Sequence, residues 1–221
     1  VICVVVMTDG RSYIQQSIES LDAELLGPIS RKVIHDDSGD ELHRGWLAER
    51  FPTWEIITTP GRSGFGGAYR SAWEWVAANV SERFVFSTED DFTFNRPVDL
   101  EELAGVLDSQ PNLVQLALRR QPWNDAERAA GGIVEQHPEA YADVWDACGH
   151  AWLEHRLFFT TNPSLIRTGL CAAGWPDVPQ SEGIFSHRLL CDSSARFGFW
   201  GARDSGEWVT HIGAERAGTG Y

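Results

Sequence analysis

No Lys/Arg-rich run occurs anywhere in this chain, and its 18 Lys and Arg residues stand against 32 Asp and Glu, a net charge of −14. A surface of that sign repels a phosphate backbone, which disfavours non-specific nucleic-acid binding while leaving room for a local basic pocket. Most of the acids read as a solvated surface. Paired cysteine is missing too. Cys3, Cys148, Cys171 and Cys191 show no C-x-x-C spacing, so a zinc knuckle or thioredoxin-like site is disfavoured, and reduced, structural thiols in a cytoplasmic protein are expected. Long apolar runs are absent. Val1 to Met7 is too short to span a membrane, and it lacks the basic flank of a signal peptide. Because the sequence opens on Val rather than Met, residues upstream are expected. No repeat or low-complexity tract appears. With 43% hydrophobic and 23% charged residues the composition is that of a folded, soluble chain, and 221 residues suit one α/β domain or two intimately packed halves.

What is present is a regular alternation. Val1 to Met7 is a continuous apolar run rich in β-branched residues, the pattern of a strand buried on both faces of a parallel sheet. Tyr13, Ile14, Ile18 and Leu21 recur at helical spacing, with Ser12 as the expected N-cap, until Gly27-Pro28 breaks the pattern. Further strands are expected over Lys32 to His35, Trp54 to Thr58 and Phe84 to Ser87, with helices over Glu41 to Arg50 and Ala68 to Val80 between them. Such alternation predicts a parallel sheet with crossover helices. Beyond Asn95-Arg96-Pro97 the pattern loosens into α+β character. A helix is expected over Leu100 to Leu107, a strand over Leu113 to Leu118, and a polar stretch to about Gly149. Phe158 to Asn162 reads as an edge strand meeting a helix start at Pro163-Ser164, and a last helix spans Gly183 to Cys191.

Chemistry-bearing residues gather at the strand ends. Ser87-Thr88-Glu89-Asp90-Asp91-Phe92 places adjacent carboxylates directly after Phe84-Val85-Phe86. Such acids repel one another unless a cation or basic partner compensates, and Mg²⁺ or Mn²⁺ takes one or two carboxylates while phosphate oxygens and water complete its shell. Thr8-Asp9-Gly10-Arg11 and Asp36-Asp37-Ser38-Gly39-Asp40 end on the same edge, where an Asp accepts from a base imide or a ribose hydroxyl. Each alone is more often a turn or an N-cap, and their shared edge is what favours a ligand. Arg62 precedes Gly64-Phe65-Gly66-Gly67, a fragment of a phosphate-cradling loop without the G-x-G-x-x-G register. Glycines that bring a helix close to the sheet are the alternative there. Glu182 lies ahead of the last helix, either as a carboxylate favoured by the helix dipole or as a general base. His211, in Trp208-Val209-Thr210-His211-Ile212-Gly213, is a further candidate metal ligand. Of ten tryptophans, Trp73 and Trp75 fit a helix core, whereas Trp175, Trp200 and Trp208 sit in Gly/Pro-rich surroundings where a ring can stack on a sugar face.

Taken in order, Thr8-Asp9-Gly10 after the first strand, Asp36-Asp37-Ser38, the loop Arg62-Ser63-Gly64 running into a helix, and Glu89-Asp90-Asp91 resemble the family 2 type of GT-A glycosyltransferases. The resemblance covers residues 1 to 95 best. Phe158 to Ile166, Ser181-Glu182 and His211-Ile212-Gly213 are similar to the acceptor-side strand, catalytic carboxylate and C-terminal His of small members of that group. It implies a single α/β GT-A domain over 1–221: a Rossmann-like, mostly parallel sheet flanked by helices, divided into a nucleotide-sugar half (1–95) and an acceptor and catalytic half (96–221). It also implies a nucleoside-diphosphate sugar, UDP favoured, and an acceptor glycan, lipid-linked sugar or protein. Thr8, Asp9, Gly10 and Arg11 would line the nucleotide pocket, with Asp36 on the base, Asp37 beside it, Arg62 and Gly64 near base or phosphate, and Asp90 towards the ribose. Asp91, Glu89 and His211 would hold Mn²⁺ or Mg²⁺. Glu182 would deprotonate the acceptor hydroxyl in an inverting transfer.

Two other readings compete. A nucleotidyltransferase would need a Gly-rich basic loop after the first strand, and Thr8-Asp9-Gly10-Arg11 is short and poor in Gly for that. A non-catalytic carbohydrate-binding module would suit the Trp content, but does not need both an acid cluster and a candidate base. A nicotinamide enzyme is disfavoured because no Gly fingerprint follows the first strand.

Overall fold

The computed structural model describes residues 1–213. The first half runs β1 (Ile2–Thr8), α1 (Ile14–Glu24), β2 (Leu25–Leu26), β3 (Ile29–Asp36), α2 (Glu41–Arg50), β4 (Glu55–Thr58), α3 (Gly64–Asn79) and β5 (Phe84–Glu89). The second adds β6 (Phe92–Phe94), β7 (Val98–Asp99), α4 (Leu100–Ser109), β8 (Leu113–Ala117), α5 (Asp125–Ala130), β9 (Tyr141–Trp145), β10 (Ala151–His155), β11 (Ser164–Arg167), α6 (Ser181–Leu190), β12 (Arg196–Trp200) and β13 (Val209–His211). Nine strands form one sheet in the order β4-β3-β1-β5-β11-β8-β12-β10-β9. The pairs among β4, β3, β1 and β5 are parallel. β11 runs against both of its neighbours, β5 and β8, and the β9–β10 hairpin closes the far edge beside β12.

The apolar run of β1 has a direct cause. Ile2, Val4 and Val6 join the core that holds Ile14, Ile18 and Leu21 of α1 and Leu103, Val106 and Leu107 of α4. Cys3, Val5 and Met7 point the other way, into a second core with Tyr69, Trp73 and Val76 of α3 and Phe185 of α6. Successive side chains of a strand alternate between faces, so a strand covered by helices on both sides is apolar throughout. Burying one such side chain contributes about 1.5–3 kcal/mol.

Several boundaries move. Ser12 does not cap α1; Tyr13 holds that position, and no side-chain hydrogen bond caps the helix there. α3 starts at Gly64, before the expected Ala68, because Asp37 at the end of β3 reaches across to accept from the Ser63 and Gly64 amides. A helix needs acceptors for its first amides, and here a neighbouring strand end supplies them. The polar stretch before Gly149 contains α5 and β9. Phe158 to Asn162 forms no strand, and the segment from Ser164 is a strand in the middle of the sheet rather than a helix. Leu165 and Ile166 serve opposite cores there, which a strand allows and a helix start does not. Trp175 and Trp200 are buried, Trp175 within a cluster of Tyr69, Trp73, Phe159 and Phe185, so neither offers a sugar platform. Trp208 is half-buried, and the Arg96 guanidinium lies over its ring at 3.8 Å. All four cysteines are free; Cys3 and Cys171 are buried as expected of structural thiols, but Cys148 and Cys191 are exposed.

Among the described residues no helix is long and apolar enough to cross a membrane.

Candidate active site

The carboxyl ends of β1, β3 and β5 meet at one edge. β1 ends in Thr8, directly paired with Asp36 of β3, and Met7 pairs with Glu89 of β5. Gly10 lets the first two loops touch: its φ is +90°, and a Cβ there would lie 2.9 Å from the Cβ of Ser38. Two buried Asp-Asp pairs result, Asp36-Asp37 and Asp90-Asp91.

Asp36 and Asp37 are saturated from within the fold. Asp36 accepts from the Ser38 amide and hydroxyl, each at 3.0 Å, and from Arg44 Nε at 3.2 Å. Asp37 accepts from Thr59 Oγ1 at 2.8 Å, the Ser63 amide at 3.0 Å and the Gly64 amide at 2.9 Å. Both side chains organise the strand-end loops. Gly64, at φ +72°, opens α3 beside them.

Asp90 and Asp91 are held differently. Arg11 reaches into the cluster, with Nη2 at 2.5 Å from Asp90 Oδ1, Nη1 at 2.7 Å from Asp91 Oδ2, Nε at 2.8 Å from Asp9 Oδ1 and Nη2 at 4.0 Å from Glu89 Oε2. Thr8 Oγ1 donates to Asp90 Oδ2 at 2.5 Å. Arg62 is exposed and pairs with Asp9 at 2.6 Å on the outer rim. Burial pushes the Asp90 carboxyl up to about 7 in spite of Arg11 and Thr8. Burial also acts on Asp91, but there the His211 hydrogen bond and Arg11 outweigh it and hold the carboxyl below its ordinary value. Burial alone would lower Arg11; the surrounding Asp90, Asp91, Asp9 and Glu89 charges raise it instead.

His211 arrives through β13, whose antiparallel pairing with β6 sets it opposite Phe92, one residue past Asp91. Its Nε2 is 3.2 Å from Asp91 Oδ2. The Ile212 amide donates to the Asp91 carbonyl at 2.8 Å. Gly213 packs so closely that a Cβ would fall 2.3 Å from Asp91 Oδ2. These residues fit a hard divalent cation. Asp91 Oδ1 and His211 Nδ1 are buried without a hydrogen-bond partner. The 3.2 Å between His211 Nε2 and Asp91 Oδ2 also suits neighbouring ligands of one octahedral ion, which are about 3 Å apart when metal–ligand distances are about 2.1 Å.

Glu89 turns towards the other candidate acid. Tyr69 Oη donates to it at 3.3 Å. Burial first, then the Asp91 charge, push Glu89 up to about 8, with the Glu182 charge adding to the rise and a Thr161 hydrogen bond opposing it. Glu182 stands in the first turn of α6 and accepts from the Thr161 amide at 2.7 Å. Burial raises its carboxyl above the ordinary range, against the Thr161 bonds and the Arg120 charge. Thr161 therefore links the acid cluster to the candidate base. Two residues before Glu182, Gln180 has φ +58°, the only positive value at a non-glycine among the described residues. Strained backbone of this kind persists where the surroundings fix it, often at sites of function.

Sequence reasoning placed Thr8, Asp9, Gly10, Arg11, Asp36, Asp37, Arg62, Gly64, Glu89, Asp90, Asp91, Glu182 and His211 at one site, and the fold brings them to one edge. It missed Thr161, Arg120, Gln121, Trp123 and Gly213. Gln121 clamps His211 by giving Nε2–H to its carbonyl and taking its amide, at 2.8 and 2.9 Å. Trp123 meets the His211 ring edge-on, with centroids 4.0 Å apart. Arg120 is bound to Glu127, at 2.6 and 3.1 Å. The available signal was Arg119-Arg120 in an otherwise acidic chain. A mixed donor cluster, Asp146, Cys148 and His150, lies on the β9–β10 turn at the opposite side of the sheet and takes no part here.

Neither a family model nor a curated protein matches the sequence. Solved structures do match. S. aureus TarS 1-349 in complex with UDP-GlcNAc aligns at TM-score 0.65 and 16% identity, over 99% of this chain and 60% of that one. Its UDP complex aligns at TM-score 0.63 and 16% identity, over 95% and 59%. GalNAc-T7 with UDP, GalNAc and Mn²⁺ aligns at TM-score 0.65 and 10% identity, over 96% and 43%. The chain spans about 60% of the length of the TarS 1-349 chain it matches. What this likeness establishes is architecture: the chain has the GT-A fold of nucleotide-sugar glycosyltransferases.

Proposed function

We propose that this chain is a glycosyltransferase that takes a nucleoside-diphosphate sugar, with UDP as the favoured nucleotide, and passes the sugar to an acceptor hydroxyl with inversion. The observation that carries this reading is the approach, through Thr161, of the half-buried Glu182 to Glu89, the residue next to Asp90-Asp91 at the carboxyl edge of the sheet. Ligands of open α/β sheets bind at that edge. The preference for uridine and for a hexose donor rests on the UDP, UDP-GlcNAc and GalNAc bound to the structural neighbours.

In this reading the loop Thr8 to Arg11, with Asp9 and Arg62, lines the nucleotide. Asp36 and Asp37 hold the loops on which the base rests, because their oxygens are already engaged by Ser38, Arg44, Thr59, Ser63 and Gly64. Asp90 faces the ribose side. Asp91 and His211 would hold Mn²⁺ or Mg²⁺, with Glu89 behind them. When bound, such a cation neutralises the charge that develops on the departing diphosphate. Glu182, its proton affinity raised by burial, removes the acceptor proton as the hydroxyl attacks the anomeric carbon. Thr161 fixes the orientation of that carboxylate. A base whose affinity lies nearer neutrality than a free carboxylate suits this task.

The test is nucleotide release from a panel of UDP-, GDP- and ADP-sugars with Mn²⁺, with Glu182→Gln alongside. Release from one donor class, cut by about 10²–10⁴ in kcat by the substitution at unchanged donor affinity, is the expected result. Full activity in Glu182→Gln would remove the base assignment. A chain that binds sugar without consuming any donor would be the carbohydrate-binding module instead.

A further inference from the structure

Arg11 is the group that satisfies the acid centre. It touches Asp9, Asp90 and Asp91 at 2.5–2.8 Å with its side chain 19% exposed. Asp91 Oδ2, the oxygen it shares with His211 Nε2, is also the oxygen best placed to share an ion with that imidazole. A guanidinium at 2.7 Å from Oδ2 and a divalent cation about 2.1 Å from it place positive charges against each other at contact distance. Two positive charges crowded on that oxygen repel, so each weakens the other's hold on it.

We propose that Arg11 is a built-in competitor of the divalent cation. It occupies Asp91 Oδ2 until the ion displaces it, and the displaced guanidinium becomes a counter-charge for the incoming diphosphate. This inference rests on the reading of Asp91 and His211 as cation ligands. Three features of the structure support it. Arg11 follows Gly10, whose φ of +90° permits the loop to fold back over the edge. Its position is set by carboxylates rather than by backbone acceptors, in contrast to Arg119, which is tied to the Ala202 and Arg203 carbonyls at 3.0 Å. Asp9, which binds Arg11 Nε, is itself half-exposed on the rim and shared with Arg62, so an anion arriving there meets both guanidinium groups. Cation and nucleotide binding are then coupled. The ion binds weakly alone and more tightly with the diphosphate, which gives Arg11 a second partner.

The experiment is Mn²⁺ binding without nucleotide, followed by the electron paramagnetic resonance signal of the free ion, and repeated with UDP. Compared with the wild type, Arg11→Met is expected to bind Mn²⁺ more than about tenfold more tightly without UDP, because a positive charge at the ion's own site is removed, and to gain less from UDP. Arg11→Lys, which keeps the charge, is expected to stay near the wild type and serves if Arg11→Met folds only with Mn²⁺ present. Asp91→Asn should abolish binding in every background. Equal or weaker Mn²⁺ affinity in Arg11→Met, with Asp91→Asn still losing the ion, would overturn the competition and leave the cation site intact. No Mn²⁺ binding by the wild type or by Arg11→Met, with or without UDP, would overturn the cation site and the competition together.

Discussion

Two buried Asp-Asp pairs stand at the carboxyl ends of β3 and β5, the strands on either side of β1, and they do opposite work. Asp36-Asp37 is locked by amides, hydroxyls and Arg44, bonds that come from loops the pair itself shapes. Asp90-Asp91 is held by three side chains, Arg11 on both acids, Thr8 on Asp90 and His211 on Asp91, and it leaves Asp91 Oδ1 without a partner. A carboxylate whose oxygens are filled by backbone donors is scaffold. One balanced by a side chain that can leave is available to a ligand. A buried polar atom without a partner is costly, and it sets Asp91 apart from Asp36 and Asp37, whose oxygens are all accounted for.

Breaking the scaffold pair carries the largest expected effect. Asp37→Ala removes the acceptor for the Ser63 and Gly64 amides and for Thr59. It is expected to lower stability by about 3–5 kcal/mol, since bonds to a charged group contribute about 1.5–3 kcal/mol each; urea denaturation gives the value. Next comes a buried histidine outside the site. His155 packs among Tyr141, Phe158, Phe197 and Phe199, and burial lowers it to about 4. Its folded value lies below the unfolded value of about 6.5, so it contributes stability that is full above that value and is lost as pH falls towards 4. The loss amounts to about 3 kcal/mol. His155→Phe should remove that part of the acid limb in melts taken from pH 7 to 4.

Gly10→Ala brings a Cβ to 2.9 Å from Ser38 at φ +90°. It should cost about 1–3 kcal/mol, visible as a lower melting temperature, and should prise the two strand-end loops apart. The smallest stability change belongs to Asp91→Asn, at most about 1 kcal/mol, because Arg11 keeps Asp90 and Asp9 and neutralising one acid relieves its repulsion of Glu89. A loss as large as that of Asp37→Ala would erase the distinction between the pairs.

Legibility in the sequence divides along the same line. The donor-side strands were readable because β1 feeds two cores and must be apolar at every position, a pattern that survives in one dimension. Asp36-Asp37 was visible as a turn or ligand-binding pair and Asp90-Asp91 as a cation-binding cluster, but that the first is scaffold was not, because the partners that decide it, Arg44, Thr59 and Ser63, come from a helix and loops distant in the chain. Beyond residue 96 the strands are short and pair out of order. β11 inserts between β5 and β8, although it follows β10 in the chain, and nothing local to Ser164-Leu165-Ile166-Arg167 announces a central strand. Glu182 was found as a lone acid at a helix start. Its link to Glu89 through Thr161 exists only in three dimensions.

Isothermal titration of UDP with and without Mn²⁺, on the wild type and on Asp91→Asn, decides whether the Asp90-Asp91 centre is the donor site. The expected result is binding by the wild type that strengthens at least tenfold with Mn²⁺, and no Mn²⁺ effect in Asp91→Asn at nearly unchanged stability. UDP binding that ignores both the ion and the substitution, or no UDP binding at all, would contradict it.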